Sequence, residues 1–173
     1  YKECKSKELN LGLDLKGGMS VTLEVDIPAL VDNLSGTSQD PAFRTALAQA
    51  QQRLATSDKD FISLFEEEFR KAAPNASLAA IFSTQDNASM FPRESTNEQV
   101  VASLRNQAGI ALNNTEKILR NRIDKFGVAQ PLIQKQTLSG RILIELPGVK
   151  DKDRVRNVLQ STANLEFWET FDN

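Results

Sequence analysis

The 173-residue sequence predicts an α+β fold, a small sheet with helices packed against it. Three observations carry that expectation. Residues 19–26 alternate apolar and polar side chains with period two, as a half-buried strand does. Residues 97–126 place apolar side chains three and four apart, as a long amphipathic helix does. Two short strand-like runs flank Ser139-Gly140, a tight-turn signal.

Taken in order, Leu9 to Leu15 alternate apolar and non-apolar residues, and the pattern breaks at Gly17-Gly18. In the following strand Met19, Val21, Leu23 and Val25 share one face, opposite Ser20, Thr22, Glu24 and Asp26. Pro28 lacks an N–H for the ladder and stops the strand. Ser35-Gly-Thr-Ser-Gln39 reads as a loop. Asp40 then serves as an N-cap with Pro41 at the first helical position, and Phe43, Ala46, Leu47, Ala50 and Leu54 follow at helical spacing over about 41–56. Thr56-Ser-Asp58 opens another helix, with Phe61, Leu64, Phe65, Phe69 and Ala72 on one face. It ends before Pro74. Leu78 to Phe82 reads as a short strand or a buried turn.

Ser95-Thr-Asn-Glu98 has the S-x-x-E form of a capping box. Behind it, Val101, Leu104, Ala108, Leu112, Leu119, Ile123 and Phe126 mark the long helix. Gly109 interrupts that helix at a cost of roughly 1 kcal/mol relative to Ala. Glu116 and Arg120 form an i,i+4 pair, Arg120, Arg122 and Lys125 suit the negative end of the helix dipole, and Gly127 is a natural residue to succeed the last turn. Strands are expected over Leu132–Leu138 and Arg141–Leu146, the second with Ile142, Ile144 and Leu146 on one face and closed by Pro147-Gly148. Asp151 caps a shorter helix with Val155, Val158 and Leu159 inward, and Leu165–Glu169 reads as a last strand. The order is that of a ferredoxin-like β-α-β-β-α-β fold, with a helical insertion between strand 1 and helix 1.

Composition narrows the chemistry. Lys and Arg total 21 against 23 Asp and Glu, a formal charge of −2, so no broad basic field favours nucleic acid. The chain has no His, which removes Ser-His-Asp and Cys-His arrangements and His-containing zinc sites. Cys4 is the single Cys, so no internal disulfide or Cys-rich metal site forms. The longest apolar run, Leu78 to Phe82, is five residues, far short of the ~20 needed to cross a bilayer. The chain opens at Tyr1 without Met and is read as a fragment, either excised or processed, so that a membrane segment could have been left off at either end.

Each tempting local motif has a plainer structural account. The Asp14-Leu-Lys16-Gly-Gly18 step offers amides and a Lys to an anion, but lacks the phosphate-loop spacing and reads as a bend. Glu66, Glu67 and Glu68 point in different directions on a helix, cannot converge on one ion, and read as a solvated face. Arg120, Arg122 and Asp124 suit capping and surface pairing. Asn75 and Asn87 sit in glycosylation-type triplets and read as loop polar residues, and Cys4 as an incidental thiol. No catalytic residue, metal site or cofactor is expected.

Leu11-Gly12-Leu13-Asp14-Leu15-Lys16-Gly17-Gly18, with a strand after it ending in Leu23-Glu-Val-Asp26, resembles the signature of the SecD family, a membrane-embedded subunit of the bacterial Sec export machinery. Two further blocks agree in order: Ile118 to Gln134, containing Arg120, Arg122, Gly127 and Pro131, and Gly140 to Gly148, succeeded by Arg154-Val155 and Ala163 to Phe167. The resemblance implies that the Gly-Gly block lies just beyond a first transmembrane helix, and that the residues after it form the base of the first periplasmic domain. It divides the chain into a juxtamembrane segment over 1–18, a ferredoxin-like base over 19–28 and 95–173, and a mainly helical insertion over 29–94, expected to be lineage-specific. It also implies a place in the bacterial inner membrane with this part on the periplasmic side. The implied partners are SecF, the SecYEG channel and unfolded polypeptide in transit, in export driven by the proton-motive force. The motif residues above are then structural. The competing class is a ferredoxin-like small-molecule sensor of a membrane receptor, which would need a pocket with converging polar groups.

Overall fold

Asp26 decides where the first strand ends. Its Oδ1 accepts a hydrogen bond from Ala29 N at 2.9 Å, capping a helix that starts at Ile27 with Pro28 in its first turn. The computed structural model describes residues 17–127, 131–136 and 139–160, apart from the Phe126 side chain. Strand β1 spans Gly18–Glu24 and helix α1 Ile27–Leu34. Pro28, which the sequence reads as the strand's stop, lies four residues beyond the strand's end at Glu24. It stands at the start of a helix instead, because a missing N–H costs nothing in a first turn.

Helices α2 (Pro41–Leu54) and α3 (Phe61–Ala72) pack closely on each other. Asp40 and Asp60 cap them by accepting from Phe43 N at 2.8 Å and Ser63 N at 3.0 Å. The cap of α3 therefore falls within the Thr56–Asp60 turn, beyond the expected Thr56 opening. Leu78–Phe82 forms a short helix, α4, rather than a strand or turn. Its first N–H, from Leu78, is satisfied by Asn97 Oδ1 at 2.8 Å, and Leu78, Ala79 and Phe82 are buried. Tertiary burial holds this single turn where local propensity is weak.

Helix α5 spans Asn97–Phe126, 30 residues. Its capping box is Thr96 with Gln99, one residue beyond the expected Ser95 and Glu98: Thr96 Oγ1 accepts from Gln99 N, and Gln99 Oε1 accepts from Thr96 N at 2.9 Å. Gln serves as well as Glu in this role, and two T/S-x-x-E/Q frames overlap here. At the other end Gly127 has φ +76° and donates its N–H to Asp124 O.

Strands β2 (Leu132–Gln136) and β3 (Arg141–Pro147) complete a three-stranded antiparallel sheet in the order β1-β3-β2. Val21 lies opposite Ile144, which lies opposite Ile133, so one face of all three strands is apolar. Helix α6 (Lys152–Gln160) comes next, with Asp151 Oδ1 accepting from Arg154 N at 3.0 Å. Of the expected last strand, Leu165–Glu169 lies outside the described residues, as do Thr137 and Leu138 of the second.

Burial falls into two separate clusters joined by α5. The first is helical. It gathers Val31, Leu47, Leu64, Leu78 and the rings of Phe43, Phe61, Phe65, Phe69, Phe82 and Phe91 with Val100, Val101 and Leu104 of α5. Its rings meet mostly edge-on or tilted, Phe43 and Phe65 at 5.6 Å and Phe82 and Phe91 at 5.3 Å. The second lies under the sheet: Met19, Ile142, Ile144 and Leu146 with Leu112, Leu119 and Ile123 of α5 and Val155 and Leu159 of α6.

Candidate functional site

The Gly17-Gly18 step is placed by the far end of β3. Gly18 pairs with Pro147, and Gly148 N donates to Gly17 O at 2.9 Å. Gly17 has φ +65°, Gly18 +148° and Gly148 +75°, all conformations that disfavour a side chain. A Cβ on Gly17 or Gly148 would meet nothing within 4 Å, so backbone conformation rather than crowding calls for glycine. Gly12, Leu13, Asp14, Leu15 and Lys16, with Cys4, lie outside the described residues.

The second motif block works in the same way. Arg120 pairs with Glu116 at 2.9 Å on the surface of α5. Arg122 Nη1 donates to the carbonyls of Leu159 at 3.1 Å and Val158 at 3.4 Å, satisfying the C-terminal end of α6. Gly127 turns the chain out of α5, and Pro131 precedes β2. Among the described residues, the Gly17-Gly18 step, Arg122 and Pro147-Gly148 each make contacts with main chain around the sheet and α6.

The acidic triplet is not the solvated face its sequence suggests. Glu68 is only 5 % exposed and is held by Arg53 and by Lys71, the latter at 2.8 Å. Glu67 binds Lys59 and Arg53, while Glu66 binds Arg70 at 2.6 Å. Lys59, then Arg53, hold the Glu67 carboxyl below the ordinary glutamate range; Lys71, then Arg53, do so for Glu68 against the opposing effect of burial. Arg53 is the residue that sequence inspection misses. It comes from α2, and only the packing of α2 on α3 brings it to the carboxylates. The Glu66–Arg70 and Glu68–Lys71 spacings are visible in the sequence.

A cleft of about 420 Å³ opens where the helical cluster faces the sheet. Val25, Ile27, Leu54, Phe61, Ala108 and Leu112 give it an apolar floor, and Glu24, Lys59, Arg105 and Arg141 stand at its rim. Those charges are already engaged: Arg141 with Glu24 at 3.2 Å, Lys59 with Glu67, and Arg105 with Ser63 Oγ at 2.9 Å. Among the described residues no group of Cys, Asp and Glu is arranged to hold a metal ion, and no helix is long and apolar enough to cross a membrane.

These features define an α+β domain with a small antiparallel sheet, a Gly17-Gly18 step held against the end of β3 and an ion-paired acidic triplet. Family models match the "Protein translocase subunit SecDF, P1 domain, N-terminal" over residues 112–172 and the "SecD/SecF GG Motif" over residues 6–28. The protein translocase subunit SecD of Rhodothermus marinus is 47% identical over 166 residues, covering 96% of this chain and 26% of that protein. The same subunit of Escherichia coli K12 is 30% identical over 166 residues (94% and 27%), and that of Pseudomonas aeruginosa 30% over 168 residues (92% and 26%). No solved structure matches. The chain belongs to the SecD family, whose matched curated members are named as protein translocase subunits. It spans about a quarter of the length of the curated relatives it matches. Matches covering 92–96% of the chain take in most of residues 29–94, so this stretch is shared with relatives in several lineages, and the expectation that it is peculiar to one does not hold.

Proposed function

We propose that this chain is part of the first periplasmic domain of a SecD subunit, on the outer side of a bacterial inner membrane, assisting export of unfolded polypeptide driven by the proton-motive force. The observation that carries the reading is the junction of Gly17-Gly18 with Pro147-Gly148, which joins the two stretches recognised as SecD-like into one sheet end. The order β1-β3-β2 supports a ferredoxin-like base, since a fourth strand beside β1 and the helices α5 and α6 would complete it. In this account the base comprises 19–28 and 95–173, residues 29–94 are a helical insertion, and residues 1–18 lead from the membrane. SecF, the SecYEG channel and the translocating chain are its partners, and the base chiefly conveys motion between membrane helices and the rest of the domain.

At the cleft rim Arg141 is engaged by Glu24, Lys59 by Glu67 and Arg105 by Ser63, none of them turned on a vacant centre, which favours this reading over a small-molecule sensor. The test is made in the full-length membrane protein. Replacing Gly17 and Gly18 by Ala strains two positive-φ positions and is expected to make secretory precursor accumulate at normal protein level. Unimpaired export in that variant argues against the proposal. A specific, saturable thermal shift of the domain on a metabolite would favour the sensor instead.

A further inference from the structure

The two buried clusters share no residue, and α5 alone contributes buried side chains to both. Val100, Val101 and Leu104 belong to the helical half, and Leu112, Leu119 and Ile123 to the sheet half. The polar contacts divide along the same line. The networks of Arg53 and Lys71, of Arg44 with Asp32, and of Asn97 with Ala76 and Leu78 stay within the helical half. Those of Lys135 with Glu116, Arg122 with Leu159, and Arg141 with Glu24 stay within the sheet half. Among the described residues, no side-chain hydrogen bond or ion pair recorded in the structure crosses the cleft.

The main chain passes between the halves at two places, Val25–Ile27 and Ala108–Ile110, and both border the cleft. Gly109 stands in the second. It does not have positive φ, and a Cβ there would meet nothing within 4 Å. Neither space nor conformation calls for glycine, although in mid-helix it costs about 1 kcal/mol relative to Ala. What sets this position apart is that it lies where α5 leaves one core and enters the other, at a residue type that lets helices bend.

We propose that α1–α4 and the first three turns of α5 move as one body against the sheet, about a hinge formed by Gly109 and the Val25–Ile27 link, widening and narrowing the cleft. At the seam Ile27 lies beside Gly140: a Cβ added there would lie 3.4 Å from Ile27 Cγ1. Rotation about the two links need break no ion pair.

The test uses the whole chain with Cys4→Ser and spin labels at Asp58→Cys and Ser139→Cys, on opposite lips of the cleft. Pulsed dipolar spectroscopy is expected to give a broad or two-peaked distance distribution, narrowed by Gly109→Ala. Amide exchange at 107–112 is expected to exceed that at 100–104 and 117–123, and to slow about fivefold in the same variant. A single narrow distribution in the parent, or an equally broad one after Gly109→Ala, overturns the hinge. Thermal melts confirm that both proteins are folded, so a change in width is read as a change in motion.

Discussion

Gly127 shows what a single residue settles. At φ +76° it reverses the chain after α5 with open space around its Cα, so Gly127→Ala pays for the left-handed conformation alone. The expected loss is about 1 kcal/mol, read from the urea midpoint with an unchanged slope. Glu116 shows a residue-scale effect of pH. Lys135, then Arg120, hold its carboxyl below the ordinary glutamate range. A depressed folded-state pKa stabilises the fold above the unfolded value and loses that contribution as pH falls through the folded value. Melting temperature is therefore expected to be level near neutrality and to fall below about pH 4, less steeply in Glu116→Gln. The Arg120–Glu116 pair is legible in sequence because a helix brings i and i+4 together. The Lys135 partner is not, because it lies on β2.

At the level of elements, the start of α5 discriminates between two overlapping signals. Thr96→Ala is expected to cost about 1 kcal/mol in chemical denaturation, whereas Ser95→Ala changes little, because Thr96 makes the reciprocal bonds with Gln99. The elements with strong periodicity are legible: β1, α2, α3, α5 and β3 emerge from residue spacing and caps. Helix α1 is not, since Pro28 reads as a strand stop but stands in the first turn of a helix, where its missing N–H costs nothing. Helix α4 is not, since five residues are too few to show a period and their helicity comes from burial against α5. The candidate site divides similarly. Its glycines stand out in sequence because their backbone needs are local, while the Arg53 network and the cleft arise only when α2, α3 and the sheet meet.

For the whole molecule, separate cores imply separate responses to damage. Phe65 is fully buried and contacts the rings of Phe43, Phe61, Phe69 and Phe82. Phe65→Ala is expected to cost about 3–5 kcal/mol and to speed amide exchange across α2, α3 and α4. Strand amides at Ile142 and Ile144, held in the other core, should keep their protection relative to global unfolding. Mass-spectrometric exchange on the intact chain reads both at once, and uniform loss of protection would mean that the cores fold as one unit.

The bonds from Arg122 to the last carbonyls of α6 have a mechanical consequence. Tension on the chain beyond Gln160 reaches Val158 and Leu159, and from there the guanidinium hands it to α5 instead of leaving it to peel the sheet. That load enters α5 in its sheet-side half, between Leu112 and Ile123, on the near side of the Gly109 hinge. Arg122 is in that sense a coupling pin between α6 and α5, and removing it would weaken that one link.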